Sequence, residues 1–237
     1  MFDISGRHAL VTGGTSGIGA AIAAALAEAG CQVTAAGLPP AEGAGGPPAG
    51  VTIAGLDVTD AASIDRLAGG LDRLDILVNA AGIIRRSGEY DLETFAQVVD
   101  VNLTGTMRLC SACRPLLAES GGAIVNVASM LSFFGAGLAP AYSASKGGIA
   151  QLTKSLAIAW AAEGIRVNAI APGWIATPLT QALQDDPARS EAILSRTPMK
   201  RWGTPGDLAG SVIFLCSPAA AFVTGVVLPV DGGYLIS

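Results

Sequence analysis

Three side chains in the second half of the chain, Ser129, Tyr142 and Lys146, are of the types needed to move a proton at an alcohol. Tyr142 and Lys146 are four residues apart, so on a helix both face the same side. A tyrosine ionises near pH ~10, and an adjacent ammonium group favours the phenolate at lower pH. The pattern predicts Tyr142 as the general acid/base, Lys146 as the group that lowers its pKa, and Ser129 as the hydrogen-bond partner of the substrate oxygen.

A packing tyrosine and a solvated lysine would be the commoner explanation of this pair in isolation. A glycine-rich loop near the N-terminus favours the catalytic explanation instead. Residues 12–19 read T-G-G-T-S-G-I-G, between an apolar strand pattern and a helical one. A helix N-terminus offers free N–H groups and partial positive charge to a pyrophosphate. We therefore expect a dinucleotide to contact Gly13, Thr15, Ser16, Gly17, Ile18 and Gly19.

The residue that ends the second strand usually contacts the adenosine ribose, and here it is Gly37, followed by Leu38. An acid at this position accepts from the 2′-hydroxyl of NAD, and a base pairs with the 2′-phosphate of NADP. Because neither Gly37 nor Ser16 is a cation, the sequence favours NAD over NADP. Asp57, followed by Val58, is placed to accept from the adenine amino group, or else is the acid at the start of a helix.

Strand-like apolar runs that alternate with helical patterns must position these residues. The runs are 8–12, 31–36, 51–56, 75–79, 123–129, 165–171 and 226–230, and the helical patterns are 20–29, 94–117, 142–163 and 205–216. This order predicts an α/β fold, in which residues 1–237 form a single Rossmann-like domain: a doubly wound parallel sheet with helices on both faces. The segment 39–50, with four prolines and four glycines, predicts a shortened loop in place of a crossover helix.

Composition narrows the class of protein further. The 237 residues are 51% hydrophobic and 14% charged, with a net charge of −5, so neither charge-driven disorder nor a basic nucleic-acid surface is expected. The most apolar stretches are too short or too polar to cross a bilayer. Four cysteines and one histidine lack the spacing of a metal site. We expect a cytoplasmic protein with a small-molecule substrate and no metal.

Taken in order, the motifs resemble those of the short-chain dehydrogenase/reductase family over essentially the whole chain. The matching pieces are 12–19, N-A-A-G at 79–82, Asn102, Ser129, Y-x-x-x-K at 142–146 and P-G at 172–173. The resemblance implies a nicotinamide cofactor, a homotetramer, and a ribose contact by Lys146. It also implies that Asn102 holds a water connecting Lys146 to solvent. Further cofactor contacts are implied at Asn79, Ala80, Ala81, Gly82, Pro172, Gly173, Ile175 and Thr177.

Substrate residues are sought in the loops at the same edge of the sheet. The strings G-I-I-R-R, A-S-M-L-S-F and R-W-G-x-P-x-D-L resemble those of sugar-acid dehydrogenases of the gluconate 5-dehydrogenase and 2-dehydro-3-deoxy-D-gluconate 5-dehydrogenase group. Candidate substrate residues are Arg85, Arg86, Met130 and Trp174, and 174–202 is a candidate lid. An arginine suits a carboxylate, although a surface or subunit-interface charge is equally compatible with Arg85 and Arg86.

Three other activities remain open. The apolar residues Phe133, Phe134 and Leu138 would suit a less polar alcohol. The same fold also carries 3-oxoacyl-thioester reductases, which the absence of a cation for a 2′-phosphate disfavours. A non-enzymatic nucleotide sensor is disfavoured by the intact set of Ser, Tyr, Lys and Asn.

Overall fold

A computed structural model describes residues 1–39 and 49–237 of the chain. Seven strands form one parallel sheet in the order β3-β2-β1-β4-β5-β6-β7. Their bounds are His8–Thr12 (β1), Gln32–Gly37 (β2), Val51–Gly55 (β3), Ile76–Asn79 (β4), Ala123–Val127 (β5), Arg166–Pro172 (β6) and Val227–Val230 (β7). The predicted doubly wound α/β fold is confirmed. The strand order reverses between β1 and β4, where such sheets open a crevice for a ligand.

Eight α-helices accompany the sheet within the described residues. They are Gly17–Glu28 (α1), Ala61–Gly69 (α2), Leu92–Val99 (α3), Gly105–Ser120 (α4), Pro140–Trp160 (α5), Gln181–Gln184 (α6), Pro187–Arg196 (α7) and Gly206–Cys216 (α8). The predicted loop 39–50 falls largely on residues 40–48, outside the described residues. No helix in the described part of the chain is long and apolar enough to cross a membrane.

Strand side chains alternate between two buried layers. Val11 packs with α1 and α8, whereas its neighbour Leu10 packs with α4 and α5. Both residues have no exposed surface, so β1 is covered on both faces. A strand covered in this way must be apolar at successive positions, which explains the unbroken apolar run in the sequence.

The sequence pattern at 94–117 is not one uninterrupted α-helix. A five-residue π-helical turn, Asp100–Thr104, separates α3 from α4. Single π turns widen a helix by one residue and often occur at functional sites. Here the turn contains Asn102, which is buried. Residues 94–117 are helical, as predicted, and the π turn lies where the helix meets the candidate site.

Candidate active site

A cleft of about 480 Å³ lies along the carboxyl ends of the strands beside the switch between β1 and β4. Nine of the predicted cofactor residues line it: Gly13, Thr15, Ser16, Gly37, Leu38, Asp57, Val58, Ala81 and Gly82. Gly37 ends β2 and the others come from the loops after β1, β2, β3 and β4, which the parallel sheet brings to one edge. The cleft therefore has the position expected of a dinucleotide site.

The glycine-rich loop fits a pyrophosphate. Gly13 has φ +66°, and a Cβ there would lie 2.7 Å from the amide nitrogen of Ala81, so only glycine permits the close approach of the two loops. Ser16, which precedes α1, makes no side-chain cap, and the first turn of α1 carries no acid. The amide groups at this helix start are therefore left available for an anion.

The part of the cleft around Gly37, where the adenosine ribose is expected, is lined by uncharged residues. A Cβ on Gly37 would lie 2.8 Å from Oγ1 of Thr15, so the Thr15 side chain already covers this position. Thr15 Oγ1 donates to the Leu38 carbonyl at 3.5 Å, and the Leu38 side chain is 65% exposed. Neither an acid nor a base is present among these three residues.

Asp57 lies in the same cleft with one oxygen occupied. Its Oδ1 accepts from the amide of Thr59 at 2.9 Å and from the Thr59 hydroxyl at 2.7 Å. These bonds hold the pKa of Asp57 below its usual range. The second carboxylate oxygen accepts nothing from the described residues, which leaves it available to an amino group.

Tyr142, Lys146 and Ser129 meet at the next part of the sheet edge. Lys146 is buried, its Nζ donates to the Val127 carbonyl at 2.6 Å, and it lies 5.5 Å from the centre of the Tyr142 ring. Burial lowers the pKa of Lys146 to about 8. The spacing of four residues thus places both side chains on one face of α5, as the sequence predicts.

The pKa of Tyr142 is raised, chiefly by burial, whereas the sequence predicts a fall. The Ser129 hydroxyl and the positive charge of Arg86 oppose this rise, and the negative charge of Glu89 adds to it. In the protein alone, the loss of water around the phenol outweighs these groups. The lowered pKa, which also depends on the charge of the oxidised nicotinamide, stays a prediction.

Ser129 is held by a turn that follows β5. Its Oγ accepts from the amide of Leu131 at 3.2 Å, and its own amide donates to Ser132 Oγ at 3.3 Å. Ser132 Oγ in turn donates to the Lys146 carbonyl at 2.6 Å. Ser132 therefore ties the turn bearing Ser129 to the helix bearing Lys146. Met130, a predicted substrate residue, is buried in this turn.

Asn102 binds the loop after β4. Its Oδ1 accepts from the Ile83 amide at 2.8 Å, and its Nδ2 donates to the Ile83 carbonyl at 2.9 Å and to Ser145 Oγ at 3.1 Å. The π turn that carries Asn102 thereby fixes the segment next to Gly82. The water proposed to connect Lys146 to solvent stays a prediction.

The Asn79 side chain is directed into the protein rather than toward the cleft. Its Nδ2 donates to Asn126 Oδ1 at 2.9 Å and to Cys110 Sγ at 3.3 Å, and Asn126 Nδ2 donates to Thr153 Oγ1 at 3.0 Å. This buried chain of polar groups joins β4, β5 and α5. Ala80, the next residue, packs against the apolar layer containing α1.

The predicted lid begins where β6 ends. Pro172 is the last residue of β6, Gly173 follows it, and Ile175 is buried in the core. Thr177 lies against the glycine-rich loop, since its Cβ is 3.9 Å from where a Cβ of Gly17 would be. The lid contains α6 and α7, which the sequence pattern did not predict.

Trp174 forms the centre of an aromatic cluster at the lid. Its ring packs edge-on against Trp202 at 6.0 Å and Tyr234 at 6.2 Å, while its Nε1 is buried without a hydrogen-bond partner among the described residues. Arg201 makes a two-pronged ion pair with Asp207, at 2.7 and 2.8 Å. The R-W-G-x-P-x-D-L string thus fastens the end of the lid to α8.

The two neighbouring arginines occupy different surroundings. Arg85 lines the cleft together with Gly82 and Asp57. Arg86 is exposed, its Nη1 donates to the Leu179 carbonyl of the lid at 3.5 Å, and its charge acts on Tyr142. Arg86 is therefore the cation of this pair whose charge acts on Tyr142.

Three residues that contribute to the site have no signal in the sequence. Ser132, Ser145 and Glu89 each bind a backbone or side-chain group of a candidate catalytic residue. Serine and glutamate are common in loops and on helices, and only the fold brings these three to the site.

A cleft of this kind beside a Ser, Tyr and Lys cluster defines a nicotinamide-dependent oxidoreductase. A family profile described as enoyl-(acyl carrier protein) reductase matches residues 13–235. The 2-dehydro-3-deoxy-D-gluconate 5-dehydrogenase of Bacillus subtilis (strain 168) is 43% identical over 99% of this chain and 96% of its own. The chain belongs to the short-chain dehydrogenase/reductase family.

Two further proteins are similar over nearly the whole chain. The cis-4-hydroxycyclohexanecarboxylate dehydrogenase of Sinomonas cyclohexanicum is 43% identical over 96% of each chain. A crystal structure from Agrobacterium tumefaciens, described as a 2-deoxy-D-gluconate 3-dehydrogenase with bound NADP, has a TM-score of 0.89 and 43% identity, covering 100% and 99% of the two chains. The chain is thus an NAD(P)-dependent enzyme that interconverts a secondary alcohol and a ketone by hydride transfer.

Proposed function

We propose that Tyr142 carries the proton of the reaction, taking it from the alcohol at its Oη during oxidation and returning it during reduction. When bound, the nicotinamide accepts or supplies the hydride. Ser129 hydrogen-bonds the substrate oxygen, and the ammonium of Lys146 favours the phenolate and holds the cofactor ribose. Asn102 keeps the loop after β4 in place, and residues 174–202 act as a lid that keeps water from the reacting atoms.

We further propose a substrate that carries a carboxylate as well as the reacting alcohol. The observation that supports this is the position of Arg86, whose charge reaches Tyr142 while its side chain contacts the lid at Leu179. A guanidinium is always charged and can bind a carboxylate with two N–H groups. Within the described residues, Arg86 makes one side-chain hydrogen bond, to Leu179, which leaves most of its donors available.

The names of two relatives share a feature that agrees with this proposal. The substrates named are 2-dehydro-3-deoxy-D-gluconate, with hydride transfer at carbon 5, and cis-4-hydroxycyclohexanecarboxylate. In both molecules four carbon–carbon bonds separate the carboxyl carbon from the carbinol carbon. A fixed distance between Arg86 and the hydride-transfer site would select this spacing. We propose a carboxylic acid with such a hydroxyl, a sugar acid foremost, as the substrate.

A matched pair of substrates tests the proposal. The pair is cis-4-hydroxycyclohexanecarboxylate and its neutral carboxamide, measured beside 2-dehydro-3-deoxy-D-gluconate with NAD and NADP. Because the charge of Arg86 also acts on Tyr142, Arg86→Met should lower kcat/KM for both substrates, but the loss should be at least about tenfold larger for the acids than for the amide. Arg66→Met, at an exposed arginine of α2, is the control. An equal loss for acid and amide would contradict the role of Arg86.

A second candidate substrate class is a less polar alcohol or a 3-oxoacyl thioester. The exposed side chains of Phe133, Phe134 and Leu138 near the Ser129 turn favour it, since they are 48%, 36% and 61% accessible. Turnover of an acetoacetyl thioester in preference to every hydroxy acid would support this class.

For the cofactor, we propose a site that discriminates weakly between NAD and NADP. The prediction of NAD over NADP finds no support in the related structure, which holds NADP. Gly37 supplies no acid to repel a 2′-phosphate, and the adjacent Thr15, Ser16 and Leu38 supply no cation to attract one. Dissociation constants for NADH and NADPH within about tenfold of each other would support the proposal, because a single charged contact changes affinity by more than that.

The homotetramer and the cytoplasmic location are proposals as well. Exposed apolar side chains on two long helices, Met107 on α4 and Ile158 on α5, favour association, as does Ile236 near the C-terminus. Light scattering that shows a monomer at micromolar concentration would contradict the tetramer.

A further inference from the structure

Glu89 is a buried carboxylate in the segment between β4 and α3. The residue is 1% exposed, although the residues on either side of it, Gly88 and Tyr90, lie at the surface. Its Oε1 accepts from the amide of Arg85 at 2.8 Å, and its Oε2 accepts from the amide of Tyr142 at 2.8 Å. One side chain thus binds the main chain of two residues that are 57 positions apart in the sequence.

The bond to Tyr142 caps the helix that carries the proton-transfer group. Helix α5 starts at Pro140, which has no N–H, and Ala139 before it has no side-chain acceptor. The amide of Ser143 donates to the Ala139 carbonyl at 3.0 Å, which leaves the Tyr142 amide without a partner in its own helix. Glu89 supplies that partner, and a negative charge is favourable at a helix N-terminus.

The bond to Arg85 fixes the other side of the site. The segment that starts at Arg85 also binds residues before α5, because the amide of Ser87 donates to the Leu138 carbonyl at 2.9 Å and Tyr90 Oη donates to the Gly137 carbonyl at 2.8 Å. The carboxylate of Glu89 is the buried member of this set. It forms no ion pair within the described residues, so its burial is balanced by N–H groups and the helix end.

We propose that Glu89 is a positioning residue of the reaction: its two carboxylate oxygens set the place of Tyr142 relative to the segment that carries Arg85 and Arg86. The inference rests on the proposed role of Tyr142. It predicts that Glu89 affects the rate of the chemical step and the ionisation of the phenol far more than it affects cofactor binding.

Glu89→Gln is the informative substitution, because it keeps the size of the side chain but replaces one acceptor oxygen by an NH₂ group. That group would face an amide N–H and cannot accept from it. With 2-dehydro-3-deoxy-D-gluconate as the substrate, we expect kcat to fall at least about tenfold and the dissociation constant of NADPH to change less than about twofold. Glu93→Gln, at an exposed glutamate of α3, is the control.

The pH profile separates positioning from general stability. The charged groups around the Tyr142 phenol are Lys146, Arg86 and Glu89. Removing the negative charge of Glu89 favours the phenolate, so the acidic limb of kcat/KM for oxidation should move to lower pH. Phenolate absorbance of the protein alone, with Tyr142→Phe as the reference, should show the same direction and requires no substrate. Only three tyrosines contribute to that signal.

Two further variants make every outcome informative. Glu89→Asp keeps the charge but is one methylene shorter, so it should lose kcat while its pH limb stays near that of the wild type. A Glu89→Gln enzyme with wild-type kcat, or with a limb that is unmoved or displaced to higher pH, overturns the inference. An active Tyr142→Phe enzyme would instead refute the proposed role of the tyrosine, which keeps the two failures distinguishable.

Discussion

Lys146 is a buried cation whose charge should make the stability of the protein depend on pH in a defined window. Burial lowers the pKa of its ammonium from 10.5 to about 8. Each pKa unit corresponds to about 1.4 kcal/mol, so the charged form destabilises the folded state by about 3 kcal/mol below pH ~8. The unfolded chain binds more protons between pH ~8 and ~10.5, and stability must therefore rise with pH across that window.

Lys146→Met removes this titration and reveals its size. For one group with these two pKa values, the free energy of unfolding of the wild type should rise by about 2 kcal/mol between pH ~7 and pH ~9.5, relative to that of the variant. Urea unfolding of both proteins at the two pH values measures the difference. Lys154→Met, at an exposed lysine of the same helix, is the control: its free energy of unfolding should change with pH as that of the wild type does. An unfolding free energy that changes equally in wild type and Lys146→Met would refute the reasoning.

Three further predictions concern the cofactor site, the sheet and the lid. Gly37→Asp combined with Thr15→Ala should weaken the binding of NADPH relative to that of NADH about tenfold or more, as measured by fluorescence titration. Gly37→Asp alone should unfold at a lower temperature than the wild type, because its Cβ would lie 2.8 Å from Thr15 Oγ1. Asn79→Ala should lower the free energy of unfolding by about 1–3 kcal/mol in urea, because Asn126 Oδ1 loses its donor; an unchanged midpoint would contradict that role. We expect the unpartnered Nε1 of Trp174, a predicted substrate residue, to donate a hydrogen bond to the substrate. Trp174→Phe keeps the edge-on packing but removes this donor, so KM for 2-dehydro-3-deoxy-D-gluconate should rise severalfold; an unchanged KM would remove Trp174 from the substrate site.

The fold could be predicted because buried parallel strands leave a strong pattern. The predicted runs at 8–12 and 123–129 contain successive apolar residues, and the strands found there, His8–Thr12 and Ala123–Val127, are buried nearly throughout. Helices α2, α6 and α7 were missed, since α2 and α7 bury few residues and α6 has only four. The π turn at Asp100–Thr104 could not be foreseen, because one inserted residue leaves the helical pattern almost unchanged.

The candidate site, like the fold, could be predicted from the sequence only in part. The relation of Tyr142 to Lys146 and the place of the glycine-rich loop follow from local spacing, which the sequence contains. The surroundings of these groups depend on contacts between distant segments. The bond from Glu89 to Tyr142 spans 53 residues, and that from Asn102 to Ser145 spans 43. The rise in the pKa of Tyr142 in the protein alone comes chiefly from burial, which the spacing of residues does not reveal.

Single-turnover hydride transfer by Tyr142→Phe tests the central claim most directly. The substitution removes only the phenol oxygen from a ring that α5 holds in place. The enzyme, saturated with NADPH or NADH and the keto acid formed from the preferred substrate, should transfer hydride at least about a hundredfold more slowly than the wild type, because a general acid contributes about 10²–10⁴ to such a step. Its dissociation constant for the reduced cofactor should match that of the wild type. A variant that transfers hydride within about threefold of the wild-type rate would contradict the assignment of Tyr142 as the acid/base.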